Sequence, residues 1–221
     1  MSVLRRRIRG IPIVALALAL ALALTGVAGA VAAAATPSTA RTVVAIGDSI
    51  MDGHGLAERQ SWPEVVARDN GWTITDLAAD GDGFVTKGDD GTTFADQVEE
   101  AIRLHPSTIV LAGSSNDLGV AESTVESAIR SAVARLHAAL PGATIVAVSP
   151  VWNEKSWPAQ LTRIEAAVRD AVRAVGGTAL TFADPLRGHP ELMQSDDVHP
   201  TAAGQLAIAT VVEERWDAAG L

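Results

Sequence analysis

The sequence predicts a single three-layer α/β/α domain in which helices cover both faces of a five-stranded parallel sheet. Short apolar runs alternate with segments that have helical spacing of apolar residues, and no hairpin signal joins successive runs. The chain has 221 residues, which suits one domain with a sizeable core. It contains no internal repeat and no sign of a second domain.

The individual elements follow from these patterns. Strands are predicted at residues 42–46, 72–78, 108–112, 144–148 and 178–182. Helices are predicted at residues 62–69, 93–104, 122–140, 158–175 and 201–216. The segment 81–91 is rich in glycine and aspartate, so we expect it to be the least ordered loop of the domain.

The first 35 residues have the three parts of a secretory signal peptide. Residues 1–10 carry four arginines and no acid, residues 11–24 are an unbroken apolar run, and residues 26–35 are rich in small residues and end in four alanines. We expect residues 1–35 to be removed on export, 36–41 to be a linker and 42–221 to form the domain of a secreted protein. An uncleaved membrane anchor is the alternative, because the apolar stretch nearly spans a bilayer.

Charge and cysteine content exclude several classes of function. Without residues 1–35 the chain keeps 13 basic and 26 acidic residues, a formal charge of −13. Nucleic acids and anionic membranes need a basic surface, so neither is an expected partner of the processed chain. The absence of cysteine excludes disulfides, thiol catalysis and cysteine-ligated zinc. Nothing in the sequence indicates the oligomeric state.

A candidate nucleophile follows the first predicted strand. Ser49 lies in the run Gly47-Asp48-Ser49-Ile50, at the carboxyl end of a strand, where parallel sheets bind ligands. The alternative is an ordinary turn in which Asp48 or Ser49 caps a helix. The sequence has no G-x-S-x-G motif, so it does not indicate the α/β-hydrolase fold.

A candidate acid–base pair precedes the last predicted helix. A serine hydroxyl becomes a nucleophile when a histidine takes its proton, and that histidine needs a carboxylate to orient it. Asp196 and His199 are three residues apart and can pair across one turn. Asp197 is the rival orienting acid. The alternative is an exposed acidic loop that caps the helix.

Two further loops at the same sheet edge offer hydrogen-bond donors. The amide of Asn116, in the run from Gly113 to Asp117, can donate to an oxyanion. The backbone N–H of Gly81 can do the same, with Gly83 as a rival. Taken alone, the Gly81 loop is better explained as a glycine-rich turn, and the Asn116 loop has an ordinary turn as its alternative. Their shared position beside the candidate nucleophile and acid–base pair favours a catalytic site.

Together, these motifs resemble the SGNH, or GDSL-type, hydrolase superfamily of esterases and lipases. The run from Gly47 to Ile50 matches the first family block, Gly81 the second, Asn116 the third, and Asp196 to Pro200 the last. The resemblance runs in family order from Arg41 to about Gly204 and implies a flavodoxin-like sheet. One position differs, because Ser114 stands where the third block usually has glycine.

The resemblance also implies the chemistry. Ser49, His199 and Asp196 would form a catalytic triad, and the N–H groups of Ser49 and Gly81 with the Asn116 amide would form an oxyanion hole. The expected reaction is ester hydrolysis through an acyl-enzyme, without a cofactor, on a small-molecule, glycan or lipid ester. The alternatives are an acyltransferase that uses the same site and a non-catalytic glycan-binding module.

Two further expectations concern residues outside these blocks. His54 follows the candidate nucleophile by five residues and is a candidate substrate-binding residue, with a plain exposed loop as the alternative. Four aspartates at positions 80, 82, 89 and 90 lack the D-x-D-x-D-G spacing of a calcium loop. We therefore expect no metal cofactor.

Overall fold

The computed structural model describes residues 41–221, so the predicted signal peptide and nearly all of the predicted linker lie outside the described residues. The sheet has five parallel strands, which are β1 (Thr42–Ile46), β2 (Thr73–Asp76), β3 (Thr108–Ala112), β4 (Thr144–Val148) and β5 (Thr178–Leu180). Their order across the sheet is β2-β1-β3-β4-β5. This is the flavodoxin-like order, and the predicted fold class is confirmed.

Six helices accompany the strands within residues 41–221. They are α1 (Ser49–Asp52), α2 (Trp62–Asn70), α3 (Phe94–Leu104), α4 (Glu122–Ala139), α5 (Ala159–Ala174) and α6 (Ala202–Ala219). Short 3₁₀ turns lie at Ser115–Asp117 and Pro190–Leu192. Strands β2 and β5 are shorter than predicted, α6 is longer, and α1 was not predicted. None of the helices in residues 41–221 is long and apolar enough to cross a membrane.

The strands alternate their side chains between two cores. Val43 and Ala45 of β1 point to one face, where α1, α2 and α6 contribute buried residues such as Ile208. Val44 and Ile46 point to the other face, which α3, α4 and α5 cover. Burial on both faces explains why the central strands are near-continuous apolar runs. It also leaves the carboxyl edge of the sheet as the place where polar loops gather.

The edge strand β2 ends in a buried carboxyl group. Asp76 Oδ1 accepts the N–H of Ala78 at 3.0 Å, whereas Oδ2 is buried with no hydrogen-bond partner among the described residues. Burial raises the pKa of Asp76 to about 8, and the neighbouring carboxylates of Asp52 and Glu64 act in the same direction.

A buried glutamine fastens α6 to the helices on its face of the sheet. Gln205 is 1% exposed, its Oε1 accepts the N–H of Trp62 at 2.9 Å, and its Nε2 donates to the carbonyl of Ile50 at 2.8 Å. Both partners are buried backbone groups next to helix starts. Gln205 therefore holds the first turn of α1 and the start of α2 against α6.

Truncating this side chain should destabilise the fold. Gln205→Ala leaves the Trp62 N–H and the Ile50 carbonyl without partners, so we expect a loss of about 2–4 kcal/mol in the free energy of unfolding. Urea denaturation followed by circular dichroism measures it. Leu206→Ala, which changes a 54% exposed neighbour, is the control and should shift stability by less than about 0.5 kcal/mol. Equal stability of the two variants would contradict the role assigned to Gln205.

Candidate active site

The turn after β1 presents Ser49 at the carboxyl edge of the sheet. Ser49 is the first residue of α1, and Asp48 caps this short helix by accepting the N–H of Ile50 at 3.1 Å. The chain must pass close to Met51 here, because a Cβ on Gly47 would lie 2.5 Å from Met51 Sδ. A side chain at position 47 would therefore displace Met51, which belongs to the same short helix as Ser49.

His199 connects the candidate nucleophile to the candidate acid. Its Nε2 lies 3.0 Å from Ser49 Oγ, and its Nδ1 lies 2.8 Å from Asp196 Oδ2. The other oxygen, Asp196 Oδ1, accepts the backbone N–H groups of Val198 and His199, both at 3.0 Å. The three-residue spacing thus lets one carboxylate hold both the backbone and the ring of His199. Residues 150 positions apart in sequence meet in one hydrogen-bonded series.

The charge state of Asp196 fixes the tautomer of His199. Hydrogen bonds from the backbone N–H of His199, from its ring and from the N–H of Val198 hold the pKa of Asp196 well below its usual range. An ionised carboxylate only accepts hydrogen bonds, so the ring proton lies on Nδ1 and Nε2 keeps its lone pair towards Ser49.

The rival acid does not contact the ring. Asp197 adopts a left-handed backbone conformation with φ of 55°, and its carbonyl accepts Asn153 Nδ2 at 3.1 Å. The structure therefore brings Asp196, and not Asp197, to His199.

Two backbone N–H groups are available as oxyanion donors. Within residues 41–221, neither the N–H of Ser49 nor that of Gly81 has a hydrogen-bond acceptor. The N–H of Gly83, the rival to Gly81, donates to the carbonyl of Thr86 at 2.9 Å and is not free. Gly81 has a φ of +76°, which a residue with a side chain rarely adopts.

The third candidate donor, Asn116, lies on the 3₁₀ turn after β3. One hydrogen of its Nδ2 is directed to the carbonyl of Asp82 at 2.9 Å, and its backbone N–H donates to Ser114 Oγ at 3.1 Å. The side-chain amide is thereby held in one orientation. Its second N–H remains available to a ligand.

Ser114, at the position where the family usually has glycine, is fully buried and connects two loops. Its Oγ lies 2.7 Å from Asp48 Oδ2 and 2.9 Å from the carbonyl of Asp82. A hydroxyl has one proton, so it donates to one of these oxygens at a time. Burial raises the pKa of Asp48, and the hydrogen bond from Ser114 acts in the opposite direction. The serine thus joins the Ser49 turn to the Asn116 turn.

Sequence reasoning did not identify Asp82 and Gln97, which support the site from behind. Asp82 is fully buried, and its carboxylate accepts the N–H of Gly88 at 3.1 Å, the hydroxyl of Thr92 at 3.0 Å and Gln97 Nε2 at 2.8 Å. Gln97 Oε1 also accepts the N–H of Gly47 at 3.0 Å, and Gln97 Nε2 donates to the carbonyl of Gly47 at 2.9 Å. The Gly81 loop is therefore tied to the Ser49 turn.

Asp117 anchors the other half of the same loop. Its buried carboxylate accepts the backbone N–H groups of Phe84, Val85 and Thr86 at 2.7, 3.1 and 2.9 Å. Thr86 in turn donates its hydroxyl to the carbonyl of Asn116 at 2.8 Å. Segment 81–91, expected to be the least ordered loop, is instead held by two buried aspartates. No local sequence signal indicates that Asp82 is buried, and Asp117 is marked only by its place directly after Asn116.

His54 lies against the ring of His199. The two ring centroids are 4.1 Å apart with an interplanar angle of 30°, and His54 Nδ1 lies 2.6 Å from Asp80 Oδ2. Potential ligand atoms of His54, Asp196 and His199 lie within 4.8 Å of one another, so these residues could hold a metal ion.

Solved structures resemble this fold over most of its length. TesA superposes with a TM-score of 0.65 at 19% identity, covering 80% of this chain and 98% of that one. The psychrotrophic esterase EstA from Pseudoalteromonas sp. gives 0.63 at 15% identity, covering 80% and 97%. A carbohydrate esterase family 2 enzyme with a carbohydrate-binding domain, from Corynascus thermopiles, gives 0.61 at 19% identity, covering 82% and 67%.

At sequence level, no curated protein matches the chain. The family model described as GDSL-like Lipase/Acylhydrolase matches residues 45–207, which run from the end of β1 into α6 and include every candidate site residue. The resemblance inferred from the four blocks is therefore confirmed. The chain belongs to the GDSL-like lipase/acylhydrolase family.

Proposed function

We propose that this protein is a serine esterase that cleaves carboxylic esters through an acyl-enzyme on Ser49. The observation that supports this most directly is the hydrogen-bonded series from Asp196 through His199 to Ser49, with separations of 2.8 and 3.0 Å. Nucleophile and base within hydrogen-bond reach, with the base oriented by a third group, are the requirements of nucleophilic catalysis by serine. The proposed triad is therefore poised for reaction before substrate binds.

In the first half of the reaction, His199 Nε2 takes the proton of Ser49 as Oγ attacks the ester carbonyl. The ionised carboxylate of Asp196 stabilises the imidazolium that results. Charge develops on the former carbonyl oxygen, and the N–H groups of Ser49 and Gly81 and the amide of Asn116 are its proposed donors. His199 then gives its proton to the leaving alcohol, and the acyl group remains on Ser49.

In the second half, water repeats these steps and releases the acid. The Asp196 side chain is 43% exposed and that of His54 is 41% exposed, so this side of the site is open to solvent. Water can therefore reach the acyl-enzyme from this side. A non-catalytic glycan-binding module is disfavoured, because binding alone does not require the Asp196–His199 pair.

The open site suits esters of small molecules or carbohydrates. One structural relative is a carbohydrate esterase and another is an esterase, and His54 is a candidate substrate contact at the exposed side. A panel of p-nitrophenyl esters of rising acyl length, followed by acetylated glycans and lysophospholipids, identifies the preferred class. Added glycerol or sugar acceptors would divert the acyl group only if the protein were a transferase.

Removing members of the proposed triad should give losses of activity that do not add. Ser49→Ala and His199→Ala should each abolish nearly all hydrolysis of p-nitrophenyl acetate, and the double variant should be scarcely worse. Asp196→Asn should cost less, because the carboxylate orients and stabilises the ring. The pH profile of wild-type kcat/KM should show no step from Asp196 at mildly acidic pH, because the pKa of this carboxyl is held well below its usual range.

Asp197→Asn is the matched control for Asp196→Asn and should be nearly silent. A fluorophosphonate probe should label the wild type and the Asp197 variant, but not Ser49→Ala. If Asp197→Asn lowered activity more than Asp196→Asn does, the acid that orients His199 would be Asp197 and not Asp196. Substantial activity in His199→Ala would refute the serine-hydrolase mechanism itself.

The proposed oxyanion donor Asn116 should act mainly on the chemical step. Asn116→Ala should lower kcat by about 10²–10³-fold with little change in KM, because this hydrogen bond strengthens as charge develops. Steady-state kinetics on a short-chain ester measure both constants. Thr86→Val removes the hydroxyl that supports the Asn116 carbonyl but keeps the amide, so it should have a much smaller effect. A change in KM alone would mean that Asn116 only binds substrate.

We also propose that the protein is exported and loses its first residues. The basic start, the apolar run and the alanine-rich end support cleavage. N-terminal sequencing of protein from the culture medium should begin between residues 31 and 40, as is typical of a segment of this length. Recovery only in the membrane fraction with Met1 intact would instead indicate an anchor.

A further inference from the structure

A second imidazole–carboxylate pair lies against His199 and takes no step in the proposed ester hydrolysis. His54 Nδ1 is 2.6 Å from Asp80 Oδ2, and the His54 ring stacks on that of His199 at 4.1 Å. Because Nδ1 faces a carboxylate, it carries the ring proton, and Nε2 of His54 keeps a free lone pair. The cleft therefore contains two imidazoles side by side.

Together with Asp196, these imidazoles form a ligand set that suits zinc. Ligand atoms of His54, Asp196 and His199 lie within 4.8 Å of one another. Two histidine nitrogens and a carboxylate oxygen are ligands that zinc accepts, whereas calcium and magnesium prefer oxygen. Zinc-bound histidines usually donate their other N–H to a carboxylate, which is the relation of His54 to Asp80. We propose that His54, Asp196 and His199 form a zinc site that reversibly inhibits the enzyme.

Solvent access and charge both favour entry of a cation. The side chains of His54 and Asp196 are 41% and 43% exposed, so an ion reaches them without opening the fold. The carboxylates of Asp52 and Asp80 lie close to His54 and add negative potential at this side of the cleft. The acidic surface of the domain raises the local concentration of cations further.

If His199 is the base, as proposed above, zinc inhibits the enzyme whether His199 binds it through Nε2 or through Nδ1. Coordination through Nε2 removes the lone pair that accepts the Ser49 proton. Coordination through Nδ1 displaces the hydrogen bond to Asp196 and leaves the ring proton on Nε2, which then cannot act as a base. In both cases Asp196 is also diverted to the ion. The zinc-bound enzyme should therefore be inactive, and a chelator should restore it.

Binding can be tested without any assay of activity. Chelator-treated protein is dialysed against zinc, and bound metal is measured by atomic absorption and by titration calorimetry. We expect about one zinc ion per chain for the wild type, and the same for Ser49→Ala, which keeps all three ligands. Asp80→Asn should weaken binding by about 10–100-fold, and His54→Ala should weaken it more.

Activity provides the second measurement. Zinc should inhibit ester hydrolysis by the wild type, EDTA should reverse this, and equal calcium should have no effect. In His54→Ala, zinc should inhibit far less relative to that variant's own zinc-free rate. His189→Ala is the matched control, because His189 also pairs with a carboxylate, Glu191 at 2.8 Å. This control should bind zinc and be inhibited like the wild type.

The outcomes separate this inference from the proposed esterase activity. If His54→Ala bound zinc as tightly as the wild type, or if calcium inhibited as strongly as zinc, the zinc site would be wrong. The proposed ester hydrolysis would be unaffected by either result. Zinc binding that depends on His54, in a protein that hydrolyses none of the esters, would overturn the proposed function but support the site. Absence of stoichiometric zinc binding to both the wild type and Ser49→Ala would also overturn the site.

Discussion

The arrangement of the active-site loops depends on the buried carboxylate of Asp82. The proposed oxyanion donors come from three separate loops, after β1, β2 and β3, that share no regular secondary structure. Asp82 joins them, because its carboxylate binds Gln97, which holds Gly47, and its carbonyl accepts the Asn116 amide. A buried carboxylate is costly unless its oxygens are satisfied, and here three donors satisfy them. Substitution at Asp82 would thus loosen all three loops at once.

The second constraint is the docking of α6. His199 leads into this helix, and Gln205 fastens the helix to the backbone of Ile50, next to Ser49. The contact between Gln205, in the first turn of α6, and Ile50 thus supports the separation of 3.0 Å between Ser49 Oγ and His199 Nε2. The core residue Ile208 continues the same packing face. The position of the proposed base is therefore set by the packing of a whole helix and not by its loop alone.

Much of this could be predicted from the sequence, because burial leaves a strong pattern in the chain. Strands β1, β3 and β4 were predicted with the bounds that the structure has, since each is a continuous apolar run. Strand β2 was predicted too long, because an edge strand is only partly buried and its pattern fades. Helix α1 has four residues, too few for periodicity. The carboxylates of Asp82 and Asp117 bond groups that lie 6 to 33 positions away along the chain, and local sequence does not encode these contacts.

The protonated carboxyl of Asp76 couples the folding equilibrium to acidity. Burial raises the pKa of Asp76 to about 8, whereas in the unfolded chain this group titrates near its ordinary value of 3.8. Between these two values the native state binds a proton that the unfolded state releases, so this group favours folding less and less as the pH rises through that window. The loss of stability from this group is therefore complete only above about pH 8, and acidification towards 3.8 progressively removes it.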